Sequence, residues 1–105
     1  MLEQLKKILG VHTSEDFVAL IKGGAQIVDV RSREEYRAGH LKGSVNIPLP
    51  SLTAQLDKIS KDKPVIVCCA SGMRSGSAKS VLKSKGYQVY NGGGWASLER
   101  KLNGR

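Results

Sequence analysis

Cys69 opens a run of small residues that ends beside a cation, Cys69-Ala70-Ser71-Gly72-Met73-Arg74-Ser75. A cysteine in that company can do thiolate chemistry. Val65, Ile66 and Val67 precede it as a β-branched run, which suits a strand covered on both faces. Beyond the loop, Ala78, Val81 and Leu82 recur at i, i+3 and i+4, the spacing of a helix. Ser71 and Gly72 are turn residues, so Cys69 falls where a strand ends and a helix begins. The first turn of a helix carries unpaired N–H groups and the positive end of the macrodipole, which together attract anions. Amides that curl around a small-residue loop form a further anion-binding concavity, here Ala70 through Ser75, and Arg74 adds a fixed charge. All of these favour thiolate over thiol at Cys69, and the thiolate is the nucleophile.

A free cysteine is more often a buried small hydrophobe, and that reading suits Cys68. Cys68 is read as the last strand residue, with its side chain on the face opposite that of Cys69. For Cys69 the glycine, serine and arginine context favours the chemical reading.

The elements that must position this loop follow from apolar spacing. Leu2, Leu5, Ile8 and Leu9 make residues 1–10 an amphipathic helical lead-in that packs on the domain. Thr13, Ser14, Glu15 and Asp16 supply a capping signal for a helix carrying Phe17, Val18 and Ile21, which stops near Gly23 and Gly24. Residues 26–30 read as a strand that is apolar except at Asp29, and Ser32 with Glu35 forms a capping box for a short helix closed by Gly39. Residues 44–47 can form a short strand. Pro48 and Pro50 bar its continuation, and Leu52, Leu56 and Ile59 mark another helical face. Gly86 ends the helix after the loop, residues 88–90 make a last strand, and Trp95, Leu98 and Leu102 suggest a terminal helix.

Strands alternating with helices at such short intervals imply an α/β fold, a mainly parallel sheet with helices on both faces. Ligands of such sheets bind beyond the carboxyl ends of the strands. Arg31, Pro48, Cys69 and the Gly92-Gly93-Gly94 run should therefore converge on one edge.

With 105 residues the chain reads as one domain, 1–105, long enough to bury a modest core. Its net charge is +8, with Lys58, Lys61 and Lys63 the densest cluster, and most of this charge reads as a solvated face that can steer anionic donors. Charge alone gives little support to direct nucleic-acid binding, because the few aromatic residues make no stacking motif. The cysteines are two and adjacent, which argues against a structural disulfide and for a reducing compartment. No apolar run approaches membrane-spanning length, and residues 1–9 lack the continuous apolar stretch of a signal peptide. The expected location is cytoplasmic, or periplasmic if a signal peptide has been removed.

Beyond the cysteine loop, the chain resembles the rhodanese-like sulfurtransferases in single-domain form. The resemblance rests on Ile27-Val28-Asp29-Val30-Arg31, on Glu35-Tyr36, on Gly39-His40-Leu41-Lys42-Gly43-Ser44-Val45-Asn46-Ile47-Pro48, on the Cys69 loop, and on Gly92-Gly93-Gly94. It implies that Cys69 takes up a sulfane sulfur as a persulfide from a small anionic donor such as thiosulfate. Cys69 then passes that sulfur to a thiol or cyanide, with a protein acceptor left open. The family often has a tryptophan in the last helix where this chain has Leu98, and Trp95 stands earlier. That departure bears on packing near the site.

Of the remaining candidates, Asp29 must find donors inside its apolar strand, and a supporting role with the loop amides or Arg31 is expected. Arg74 is expected to bind sulfonate-like oxygens in bidentate fashion. Glu35 is explained by capping. His40 could serve as a general base, but chemistry that starts from a thiolate needs none. No cysteine and histidine spacing suggests a metal site, no cofactor is implied, and a monomer is expected because no segment reads as a coiled coil. Two other readings stay open. A cysteine phosphatase or arsenate reductase shares the cysteine-plus-arginine cradle, although only four residues separate Cys69 from Arg74, a shorter loop than those enzymes use. A non-catalytic binding or regulatory module could use the same fold.

Overall fold

The computed structural model describes residues 14–103. The lead-in expected over residues 1–10, and Thr13 of the first capping signal, lie outside the described residues.

Four strands, β1 (Gln26–Asp29), β2 (Val45–Asn46), β3 (Val65–Cys69) and β4 (Val89–Gly94), form one sheet in the order β2-β1-β3-β4. Every pairing in it is parallel. Among the described residues, four α-helices connect or flank them: α1 (Ser14–Lys22), α2 (Arg33–Ala38), α3 (Met73–Ser84) and α4 (Trp95–Leu102). The central strand β3 is buried along its whole length, as expected for its uninterrupted apolar run.

Alternation along the strands divides the core into two layers. On one face Val28, Val30, Val65, Val67 and Cys69 meet Ala78 and Leu82 of α3 together with Leu52 and Ile59. On the other, Ile27, Ile66 and Cys68 meet Phe17 of α1 and Leu98 of α4. The adjacent cysteines thus belong to opposite layers. Trp95 and Leu102 pack on the second layer beside Leu98, so the terminal helix contributes the stripe that its spacing suggests.

The strands expected over 26–30 and 44–47 are each trimmed at their ends, and three elements differ further from their sequence-based expectation. Cys69, rather than Cys68, is the last residue of β3, because its backbone still pairs with Gly94. β4 runs on past Tyr90 through all three glycines, with an irregularity where Val67 pairs with Asn91 and Cys68 pairs with Gly93. A glycine run ordinarily argues against a strand, but a Cβ on Gly92 would come within 2.9 Å of both Ile66 and Leu98, so only glycine lets β4 lie this close. The face marked by Leu52, Leu56 and Ile59 is carried by 3-10 turns, Leu49–Ser51 and Thr53–Lys58, with a break at Gln55 (φ −121°, ψ 27°). Its anchor is distant in sequence: the Tyr87 hydroxyl lies 3.1 Å from the carbonyls of Leu56 and Ile59.

Candidate active site

The loop after β3 rises from the carboxyl edge of the sheet and turns at Gly72, whose φ of 103° is left-handed and favours glycine. Gly72 is the N-cap of α3 and provides no side-chain cap, so the first amides of that helix are left for other acceptors. The Cys69 sulfur is one of them. The Gly72 amide donates to Cys69 Sγ at 2.9 Å, and Ser75 Oγ stands 3.4 Å from the same sulfur. Cys69 is 0% exposed, whereas Ala70 and Ser71 at the lip are exposed and Met73 is 82% exposed.

Burial pushes the Cys69 thiol up. The Ser75 hydroxyl and the backbone amides of Ser75, Gly72 and Ser71 outweigh that effect and hold it below the ordinary thiol range. Cys68, one residue earlier, shows what burial does without such donors: desolvation, with the Asp29 carboxylate adding to it, pushes its thiol up to about 12. Two cysteines of equal burial therefore differ in acidity because only one faces the amides of a helix N-terminus.

Arg74 sits at the rim of the cradle, and its guanidinium grips both carboxylate oxygens of Glu35 at 2.6 and 3.0 Å. The same Glu35 accepts from the Ser32 amide at 3.0 Å, completing the capping box of α2. Pairing with Arg74, then the Ser32 amide, holds the Glu35 carboxyl at about 2. The capping role was legible in the sequence; the bond to Arg74, across 39 residues, was not.

Asp29 and Arg31 form a separate buried knot. Arg31 donates through Nε and Nη2 to the Asp29 carboxylate at 2.7 to 3.0 Å, and its backbone amide donates to the same group. Arg31 also donates to the carbonyls of Gly39 at 2.7 Å and Glu35 at 3.3 Å, and its guanidinium lies 4.9 Å over the Trp95 ring. Asp29 pairs with Cys68 in the sheet register and shares its face, so the knot lies behind β3 rather than in the sulfur cradle. Its reach into the site is indirect, through the α2 turn that carries Glu35. His40 stacks on Tyr36 with centroids 3.7 Å apart and donates from Nδ1 to the Tyr36 carbonyl at 2.7 Å, which ties it to that same turn.

One cradle residue escaped the sequence reading. Asn91 of β4 accepts from Ser75 Oγ at 2.7 Å and from the Gly93 amide at 2.9 Å, and donates to the Gly72 carbonyl at 3.3 Å. An asparagine two residues before a glycine is an Asx-turn signal, which marks its backbone role but not the contact with Ser75.

Against known proteins, the profile of the rhodanese-like domain matches residues 13–101. The chain is 38% identical over 87 residues to the uncharacterized protein YqhL of Bacillus subtilis, covering 82% of this chain and 68% of that one. It is 33% identical over 100 residues to the thiosulfate sulfurtransferase GlpE of Pseudomonas fluorescens, covering 94% and 88%. Among solved structures, a rhodanese-related protein from Thermoplasma volcanium superposes with a TM-score of 0.72 at 30% identity, over 85% of this chain and 90% of that one. A rhodanese with anions from Escherichia coli superposes with a TM-score of 0.66 at 35% identity, over 70% and 91%. The four-stranded parallel sheet, the cysteine at its carboxyl edge and these matches lead to one conclusion: the chain belongs to the rhodanese-like domain family.

Proposed function

We propose that this protein is a sulfurtransferase that carries a sulfane sulfur on Cys69, taking it from thiosulfate or a persulfide and giving it to a thiol or cyanide. The observation that carries this reading is the Gly72 amide aimed at Cys69 Sγ from 2.9 Å, at the mouth of α3. Sulfurtransferase names among the relatives support the same reaction class.

In this reaction the Cys69 thiolate attacks the outer sulfur of thiosulfate. The S–S bond of the donor breaks, and sulfite leaves with the bonding electron pair, so that Cys69 bears a persulfide with its negative charge on the outer sulfur. The amides of residues 70 to 75 and the positive end of α3 stabilise that charge. An acceptor thiolate or cyanide then attacks the outer sulfur, and the Cys69 thiolate departs in its original form. Because the sulfur rests on the enzyme between half-reactions, donor and acceptor should give ping-pong kinetics.

Intact-protein mass spectrometry after exposure to thiosulfate tests the proposal. One added sulfur atom, released on addition of cyanide and accompanied by free sulfite, is expected. An unchanged mass under conditions where the thiol remains alkylatable would exclude thiosulfate as donor, and no gain with a low-molecular-weight persulfide either would remove the sulfurtransferase reading. The pH dependence follows from the cradle. Donors that favour the thiolate shift its formation to lower pH, so the loading rate should rise with pH and level off at a lower pH than for an ordinary thiol.

Arg74→Ala should raise the thiosulfate concentration needed for half-maximal loading. A charge-assisted hydrogen bond is worth about 1.5–3 kcal/mol, and competition from Glu35 for the guanidinium places the effect near the lower figure, roughly tenfold. Arg74 lies outside the apolar stripe of α3, so urea denaturation should show little change. Unaltered loading at low thiosulfate would remove Arg74 from the binding step.

A further inference from the structure

Asn91 and Ser75 connect β4 to the nucleophile through one hydroxyl, and the direction of each hydrogen bond is fixed by chemistry. Asn91 Oδ1 is a carbonyl oxygen and can only accept; the Gly93 amide donating to it at 2.9 Å and the Asn91 amide nitrogen facing the Gly72 carbonyl settle which end is which. At 2.7 Å from Oδ1, Ser75 Oγ must therefore be the donor of that bond. A hydroxyl has one proton. With it committed to Asn91, the Ser75 oxygen can offer Cys69 only a lone pair, so across 3.4 Å the thiol donates to the serine. Ser75 and Cys69 are both 0% exposed, and Asn91 beside them is partly buried.

We propose that Asn91 is a positioning residue for the nucleophile: it captures the Ser75 proton, turns the serine lone pair toward Cys69, and thereby holds the resting sulfur as a thiol. This rests on the reading of Cys69 as the nucleophile. When the thiol loses its proton to solvent, the sulfur becomes an acceptor only. Ser75 then gains by rotating its O–H from Asn91 to the sulfur, while Asn91 keeps the Gly93 amide. Asn91 and the thiolate thus compete for one proton, and the strength of the Asn91 bond sets how much thiolate is present at neutral pH. The hydroxyl exchange does not pass through the other ionisable groups around Cys69. They are Arg74 from α3 with Glu35 of α2 bound to it, and Cys68 on the far face of β3, while Tyr90 of β4 packs in the opposite layer.

The test is the pH profile of Cys69 alkylation by iodoacetamide, with the modified thiol assigned by tandem mass spectrometry. It reads the thiolate without requiring any sulfur transfer, so a protein that failed to load sulfur could still pass it. Asn91→Leu removes the competing acceptor and should move the midpoint down by about one pH unit, giving about tenfold more thiolate below both midpoints. Ser75→Ala removes the hydroxyl and should move it up. Adding Asn91→Leu to Ser75→Ala should change nothing further, since Asn91 acts through Ser75. A midpoint unchanged or raised in Asn91→Leu, or lowered equally in the Ser75→Ala background, overturns the proposal. Should Asn91→Leu not fold, the unsubstituted protein still decides. The NMR signal of the Asn91 side-chain amide should titrate with the same midpoint as Cys69 alkylation, and a signal indifferent to that midpoint overturns the proposal.

Discussion

Cys69→Ser is expected to take up no sulfur from thiosulfate and to show no turnover, while Cys68→Ser should load and turn over normally wherever it remains folded. The two cysteines share a strand, a redox chemistry and complete burial, so only their surroundings can separate them. Cys69 faces the mouth of α3, where the Gly72 amide donates to its sulfur and the Ser75 hydroxyl can turn its proton to that sulfur once it ionises. Serine in its place keeps the hydrogen bonds but lacks a nucleophile that ionises near neutral pH. Cys68 points into the layer of Phe17, Ile66 and Leu98, and burial keeps its thiol protonated up to about 12. A hydroxyl there would sit among apolar side chains and should cost about 1–3 kcal/mol of stability. Mass spectrometry and urea denaturation of both variants check this. Sulfur retained by Cys69→Ser, or activity lost in a folded Cys68→Ser, would reverse the assignment.

The contrast between these cysteines was readable from strand periodicity, since neighbours on a strand point to opposite faces. The α2 helix was equally readable, because its capping box is local chemistry between Ser32 and Glu35. What the chain order conceals is the second use of such residues. Glu35 reaches Arg74, and Asn91 reaches Ser75, only after the sheet has brought α2, α3 and β4 to one edge. The extent of β4 was hidden for a related reason. Glycines are poor strand formers, yet the pairing with β3 continues through them, and Gly92 is the residue that fits where Ile66 and Leu98 leave no room for a side chain. Propensity also misjudged the segment around Leu52, where helical spacing is met by 3-10 turns interrupted at Gln55 and anchored by Tyr87. In each case a long-range contact decided what local sequence left open.

Removal of the Asp29 carboxylate should cost more stability than Cys68→Ser or Arg74→Ala. Asp29 is 0% exposed and accepts from the Arg31 guanidinium and backbone amide, while Arg31 is itself 4% exposed. In Asp29→Ala the guanidinium keeps its charge, because arginine does not deprotonate at accessible pH, and keeps only the carbonyls of Gly39 and Glu35 and the Trp95 ring as partners. An uncompensated buried charge of this kind costs about 3–5 kcal/mol. The double variant Asp29→Leu/Arg31→Met removes the charge along with its partner and should be less destabilised than Asp29→Ala, the reverse of simple additivity. Urea denaturation of the three proteins gives the comparison. An Asp29→Ala loss under about 1 kcal/mol, or a double variant less stable than the single, would show that the knot is not a desolvated pair. Because Asp29 lies on the Cys68 face, the folded fraction of Asp29→Ala should still load sulfur on Cys69. Its requirement for thiosulfate should rise only as far as loosening of the Glu35 turn releases Arg74 from its place at the rim.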